Sequence, residues 1–278
     1  MEWPRLKNII LLLLLLTNLF LAALVLQQEG VAARHQEEAR EDVVQLLGRS
    51  GITVSQSVLP RDAVYPIAKV TPEPGRDAAV LTPLLGEVTT SSPGGERFIH
   101  IGQWGVADVQ SGGAFSLALE PSLFPAGANP AEHARETLKQ VGMLTQAEDI
   151  QYTQEAGDRL EVTEVTLYEY WGGLPVADCE LRAVYTNGNL VSVSGTRIGG
   201  VPAETGQIEL SAVTGLLRFV EQLTLSGKSC SAITGMIPVY RLTFGLENIG
   251  TLTPVWHFET DGGNYLLDPA TNDLVTLS

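Results

Sequence analysis

Residues 9–26 are apolar throughout except for Thr17 and Asn18. As a helix rising ~1.5 Å per residue, this 18-residue stretch spans ~27 Å, close to the ~30 Å hydrocarbon core of a bilayer. Arg5 and Lys7 precede it, and Gln27, Gln28 and Glu29 follow. Basic residues favour the cytoplasmic side, so the expected topology is single-pass with the N-terminus inside and the remainder extracytoplasmic. A cleaved signal peptide is the competing reading, with Val31-Ala32-Ala33 as a small-residue site before Arg34. The apolar stretch exceeds the ~7–15 residues usual for a signal-peptide core, so retention is favoured.

Within the stretch, Asn18 and Ala22 stand four apart on one helix face. A polar-small pair of this kind suits packing against a second membrane helix. The alternative is that Asn18 bonds only to backbone or interfacial water. Trp3 falls at the interface, where an amphipathic ring is favoured.

Beyond the anchor the chain is acidic, with a formal net charge of -15 for the whole sequence and no basic stripe. Such a surface repels nucleic acid. Cys179 and Cys230 are too few for a disulfide framework. In an oxidising compartment they could pair, or sit apart as buried thiols. Enzymatic chemistry lacks a constellation. His35, His100, His133 and His257 are scattered, with no paired spacing that would hold a metal. The acidic turns at Asp261 and at Asp268–Asp273 read as hairpin turns, since they match no EF-hand pattern. No catalytic residue, cofactor, metal or small-molecule substrate is inferred. Trp104, Trp171 and Trp256 read as core residues.

The chain divides into a cytoplasmic tail (1–8), a transmembrane helix (9–26), a juxtamembrane stalk helix (27–51), a β-rich part (52–128) and two helix-plus-meander units (129–200 and 201–278). In the stalk, Val31, Ala39, Val43, Leu46 and Leu47 share one side, and the Arg- and Glu-rich remainder is read as solvated. Gly48 and Gly51 end it. Phe98–Val109 and Ala114–Leu119 read as strands, and Thr71–Arg76 and Ser91–Glu96 as loops. Asn129-Pro130 opens a helix and Ser211 caps another. Strands are predicted over 160–171, 176–185, 190–198, 237–246, 253–259, 264–267 and 274–277. Asn187-Gly188 joins two of them as a two-residue hairpin turn. The fold class is therefore α+β: a transmembrane helix, then antiparallel meanders each packed against a helix.

Several motifs resemble known families. Gly172-Gly173-Leu174-Pro175-Val176, Asn187-Gly188-Asn189 and Val191-Ser192-Val193-Ser194-Gly195 resemble the turn and hairpin of FTP and PepSY domains. Leu252 to Phe258 and Tyr265 to Val275 resemble a PepSY ending, with Pro269 intruding and Asn272 where Gly is usual. The resemblance implies two PepSY/cystatin-like units. Met1-Glu2-Trp3, Lys7, the leucine-rich stretch and Thr17-Asn18-Leu19-Phe20 resemble the start of YycI proteins. These are single-pass accessory regulators of Gram-positive bacteria. That resemblance implies a regulator that contacts the sensor histidine kinase (YycG, also called WalK) of the YycFG/WalRK cell-wall two-component system, with a YycH-like membrane protein as partner. The PepSY/FTP likeness alone implies instead an inhibitor or chaperone of an extracellular peptidase. A structural role in the envelope is a third reading. If Asn18 packs against a partner helix, Asn18→Leu lowers the recovery of membrane partners in a co-purification. Unchanged recovery eliminates that role.

Overall fold

In a computed structural model, the described residues are 14, 17–18, 35–72, 74–94, 96–143, 151–156, 161–245 and 249–277. Leu14, Thr17 and Asn18 are helical and exposed. Trp3, Ala22 and the rest of the 9–26 segment lie outside the described residues. Among the described residues, no helix is long and apolar enough to cross a membrane.

The body is a mixed α+β structure, built mainly from antiparallel strands with four helices among the described residues. After helix α1 (35–49) the order is β1 (Thr53–Val54), β2 (Ala63–Pro72), α2 (Pro74–Leu85), β3 (Thr89–Gly94), β4 (Arg97–Gly102), β5 (Gly105–Gln110) and β6 (Ala114–Leu119). Next come α3 (Pro130–Gln140), β7 (Gln151–Ala156), β8 (Glu161–Trp171), β9 (Leu174–Thr186), β10 (Asn189–Thr196) and β11 (Gly200–Leu210). The chain finishes with α4 (Ala212–Leu225), β12 (Ala232–Phe244), β13 (Gly250–Thr260), β14 (Gly263–Leu267) and β15 (Leu274–Leu277).

Strands β3-β4-β5-β6-β10-β9-β8-β7 follow one another in one antiparallel sheet, and β11-β2-β13-β12 lead a second. In the second sheet β14 continues from the other half of β13, carrying β15, and β1 lies parallel to β12. The two sheets meet where β9 runs beside β12, through the single register pair Tyr240 and Val176. Residues 52–128 contribute to both sheets. Strand β2 pairs with β11 and β13, whereas β3 to β6 extend the sheet of β9 and β10.

Each sheet carries its own core. Leu81, Leu84 and Leu85 of α2 and Ala134 and Leu138 of α3 pack with Leu117, Val165, Leu181, Tyr185 and Leu190. Val43 and Leu47 of α1 and Leu216, Phe219 and Leu223 of α4 pack with Met236, Trp256, Phe258 and Tyr265. Each core thus takes two helices where the sequence predicts one. The second is anchored by a parallel aromatic stack of Phe219 on Phe258, with centroids 4.0 Å apart.

Local chemistry accounts for most boundaries. Asn187 (φ 49°) and Gly188 (φ 74°) both take the left-handed conformation that a two-residue hairpin of this twist requires. Asn129 Oδ1 accepts from the Glu132 amide and caps α3. At α4 the capping differs from the sequence expectation. Ser211 makes no side-chain cap bond, and Asp62, just before β2, accepts from the Ala212 amide at 2.8 Å. Asn272 (φ 61°) takes the left-handed position usually given to Gly, and Asp268 Oδ1 accepts from Ala270 N at 2.8 Å.

Other segments depart from the sequence reading. The single strand predicted over 98–109 is a hairpin, β4 and β5, turning at Gln103-Trp104. A Cβ at Gly102 would lie 2.2 Å from the Leu85 carbonyl oxygen, so α2 closes directly over this turn. The loop expected at Thr71–Arg76 contains the end of β2 and the start of α2, and the loop at Ser91–Glu96 contains most of β3.

Gly215 sits where α4 comes closest to the sheet. A Cβ there would lie 2.4 Å from Trp256 Nε1 and 2.5 Å from its Cδ1. In an exposed helix, Gly→Ala gains up to ~1 kcal/mol from propensity. Here the overpacking reverses the sign. Gly215→Ala is expected to cost about 1–3 kcal/mol in denaturant unfolding, and a gain in stability would contradict this packing.

Candidate functional site

Two places concentrate interactions that meander geometry alone does not require. The first is the junction of the sheets. Trp171 packs edge-on against Tyr240, with centroids 4.6 Å apart. The Tyr240 hydroxyl donates to the Pro66 carbonyl at 2.9 Å, which ties β12 to β2. Asp178 of β9 accepts from the Leu242 amide at 2.9 Å, and buried Glu169 accepts from the Ile198 amide at 2.6 Å. Around them Ala68, Val70, Val176, Cys179, Leu242 and Leu252 form a buried cluster drawn from both sheets. The turn at Gly172-Gly173 has φ values of 58° and 84° and borders Tyr240. The Gly-Gly-Leu-Pro-Val motif is therefore part of the joint.

The second place is the outer end of α1. Val43 and Leu47 are each 4% exposed, while Leu46 is 52% exposed and faces away from the core. Arg40 continues the inner stripe at i, i+3, i+7 and is only 9% exposed. The sequence reading grouped Arg40 with a solvated face. An arginine on a buried stripe is invisible to hydropathy, and only its spacing to Val43 and Leu47 could have revealed it. Its Nη2 donates to the Leu59 carbonyl, which holds the 56–60 turn against α1. Its Nε is buried without a partner. Arg40, Glu37, Gln56, Leu59, Pro60 and Arg61 border an open depression of about 550 Å³. Gln56 Nε2 donates to Glu37 Oε1 at 2.6 Å across one side of it.

The sequence-predicted positions are distributed as follows. Asn18 is an exposed helical residue. Cys179 and Cys230 are free thiols in separate clusters, Cys179 fully buried at the junction and Cys230 half-buried beside α4. Burial raises both thiols above their ordinary range. Trp256 is in the core, and Trp171 and Trp104 are half-buried. Among the described residues, no group of three or more His, Cys, Asp or Glu could hold a metal ion. Asp261 uses its carboxylate on Ser231 and on the Ala232 amide, closing the β12–β13 pair.

The histidines are scattered: His100 is buried, and His133 and His257 are half-buried. His133 Nδ1 pairs with the Tyr185 hydroxyl at 3.0 Å, and His100 Nδ1 pairs with the Thr90 hydroxyl at 2.9 Å. His257 lies on β13. Burial holds all three below the ordinary imidazole pKa, His100 also feeling the Arg197 guanidinium and, in the opposite sense, Asp77.

No family model and no curated protein matches this chain. Solved structures do. An uncharacterized protein from Eubacterium rectale is 10% identical, with 77% of this chain and 87% of that one covered at a TM-score of 0.49. The Bacillus megaterium YpeB C-terminal domain is 10% identical, with 86% and 97% covered at a TM-score of 0.35. Neither likeness assigns an activity to this chain.

The histidine shifts set a pH dependence. An imidazole whose pKa is lower in the fold than in the unfolded chain contributes stability above ~6.5, and that stability is lost as the pH falls through the folded value. Melting temperature is therefore expected to fall as pH drops from 7 toward 5. His100→Leu, which cannot charge, is expected to flatten part of that fall. An equally steep profile in the variant would remove His100 from the account.

Proposed function

We propose that this chain is a membrane-anchored extracytoplasmic regulator of the YycI kind, with PepSY-like units in its body. It binds the sensor histidine kinase of a YycFG/WalRK-type cell-wall system and biases its activity through protein contacts. A YycH-like membrane protein is its partner. The support at the N-terminus is the resemblance of Met1-Glu2-Trp3, the apolar 9–26 segment and its Thr17-Asn18 step.

One structural observation carries the reading: α1 is built into the core of the body. Val43 and Leu47 are buried with Phe219 and Trp256, so this helix cannot swing as a loose stalk without opening that core. In sequence, residues 27–34 separate the apolar stretch from the described part of this helix. A partner that grips the body can therefore displace the anchor, and the reverse holds as well. Regulation needs no chemistry. A body that binds one kinase state ~1.4 kcal/mol better than the other shifts that equilibrium tenfold.

The test is a cross-linked membrane pull-down of the full chain. Recovery of a membrane histidine kinase and a YycH-like protein is expected, and absence of both overturns the proposal. Val43→Asp with Leu47→Asp, which undocks α1, is expected to keep partner recovery through the anchor and abolish the effect on kinase autophosphorylation. Leu46→Asp, on the exposed side of the same helix, is expected to leave both unchanged.

A further inference from the structure

Arg40 is the most buried of the described arginines, yet it lacks the carboxylate partner that four of the others have. Arg97 meets Asp108, Arg135 meets Glu132, Arg182 meets Glu164 and Glu180, and the largely buried Arg197 meets Asp77. Carboxylates are abundant, 32 acidic residues against 17 basic ones, so partners are not scarce. Arg40 is more buried than the exposed members of that set, yet it makes no ion pair among the described residues. Its one hydrogen bond among the described residues is to a neutral carbonyl. Its Nε is buried and unpartnered. A guanidinium taken out of water without a counter-charge is costly, and an anion supplied from outside the chain would offset that cost.

The surroundings define that anion. Arg61, exposed and likewise without an ion pair, borders the same depression from a different segment. Two guanidinia on separate elements suit an oxyanion with oxygens pointing several ways, as on a tetrahedral phosphate, better than one planar carboxylate. The depression, about 550 Å³ and open, is far larger than a bare ion, and Leu59 and Pro60 give it an apolar wall. Glu37 borders the same depression and accepts from Gln56, but makes no ion pair with Arg40.

We infer that the depression between α1 and the 56–61 turn binds a phosphate oxyanion carried on a small organic body, gripped by Arg40 and Arg61. The site lies on α1, which follows the 9–26 segment in sequence. The headgroup of an anionic phospholipid and a free phosphate share the required chemistry. The inference is independent of the kinase, because the purified chain alone suffices to test it.

The experiment uses the full chain in an uncharged detergent, with thermal melting as the readout. One arm adds inorganic phosphate, a second dopes the micelles with phosphatidylglycerol, and a third uses equal phosphatidylcholine. The acidic body disfavours general attraction to anionic micelles, so a rise in melting temperature reports a specific site. A rise with phosphatidylglycerol above phosphatidylcholine is expected. Arg61→Gln is expected to weaken it at least tenfold in half-saturating ligand while leaving the unliganded melt unchanged. Arg40→Gln is expected to abolish the rise, while its unliganded melt also registers the lost bond to the Leu59 carbonyl. Arg49→Gln, at the far end of α1, is expected to behave as wild type. A rise with inorganic phosphate alone, not increased by the lipid, supports the oxyanion site and assigns it to free phosphate. If Arg40→Gln fails to fold, Arg61→Gln decides. No rise in any arm, or an Arg61→Gln response equal to wild type, overturns the inference.

Discussion

The body depends on one shared strand. β9 pairs along its length with β8 and, through its C-terminal half, with β10, while its N-terminal end touches β12 at Val176. A single register pair cannot hold two sheets together through backbone bonds. The junction is held by side chains: Tyr240 against Trp171 and onto the Pro66 carbonyl, Asp178 on the Leu242 amide, and the buried cluster around Cys179. Apolar burial supplies the adhesion, and the hydrogen bonds fix the orientation, because each buried donor left unpaired costs ~1–3 kcal/mol. That division explains why the Gly172-Gly173 turn matters. It delivers Trp171 and Val176 to the same joint, where both meet Tyr240.

The joint also explains the path of the chain. The chain lays β1 and β2 in the second sheet, then runs through the whole first sheet before returning to the second at β11. β2 and β11 pair over ten register positions although they are far apart in sequence. The fold is thus closed by a non-local pair: the first sheet is one continuous piece of chain, β3 to β10, and the second is assembled from the pieces on either side of it. Long-range pairing of this sort is expected to form late in folding, after the local hairpins.

This path decides what the sequence could disclose. Hairpins with a buried face and a glycine turn were legible: β9–β10 at Asn187-Gly188, and β12 to β15 with their alternation. β2 was hidden by Pro66 and Pro72, which read as punctuation but fit a strand whose partners tolerate a missing donor. β11 was hidden because it is the exposed edge of its sheet, so it has no buried face to alternate. α2 was masked by Pro83 inside it, close enough to the C-terminal end for the helix to survive. The β4–β5 turn lacks the Asn-Gly or Asp-Gly pair that announces a hairpin and carries Trp104 instead. In the candidate sites, the Gly-Gly-Leu-Pro-Val motif was visible as a pattern, but its place at the joint was not. Arg40 was read by residue type, which assigns it to water, whereas its spacing assigns it to the core.

Arg40 and the docking of α1 belong to one argument. Val43 and Leu47 fasten the helix to the core, and Arg40 fastens the next turn to Leu59. Toward the segment that leads to the apolar stretch, the contacts therefore change from apolar to a hydrogen bond made by a charged group. Apolar contacts hold regardless of what surrounds the body. A buried guanidinium short of an anion is conditional: its strength depends on whether a counter-charge is supplied from outside the chain. The outer turn of α1 is then the part of the body whose attachment responds to its surroundings. A regulator that works by shifting a helix needs a conditional contact at that turn, because a fully apolar one would hold the same position in every state.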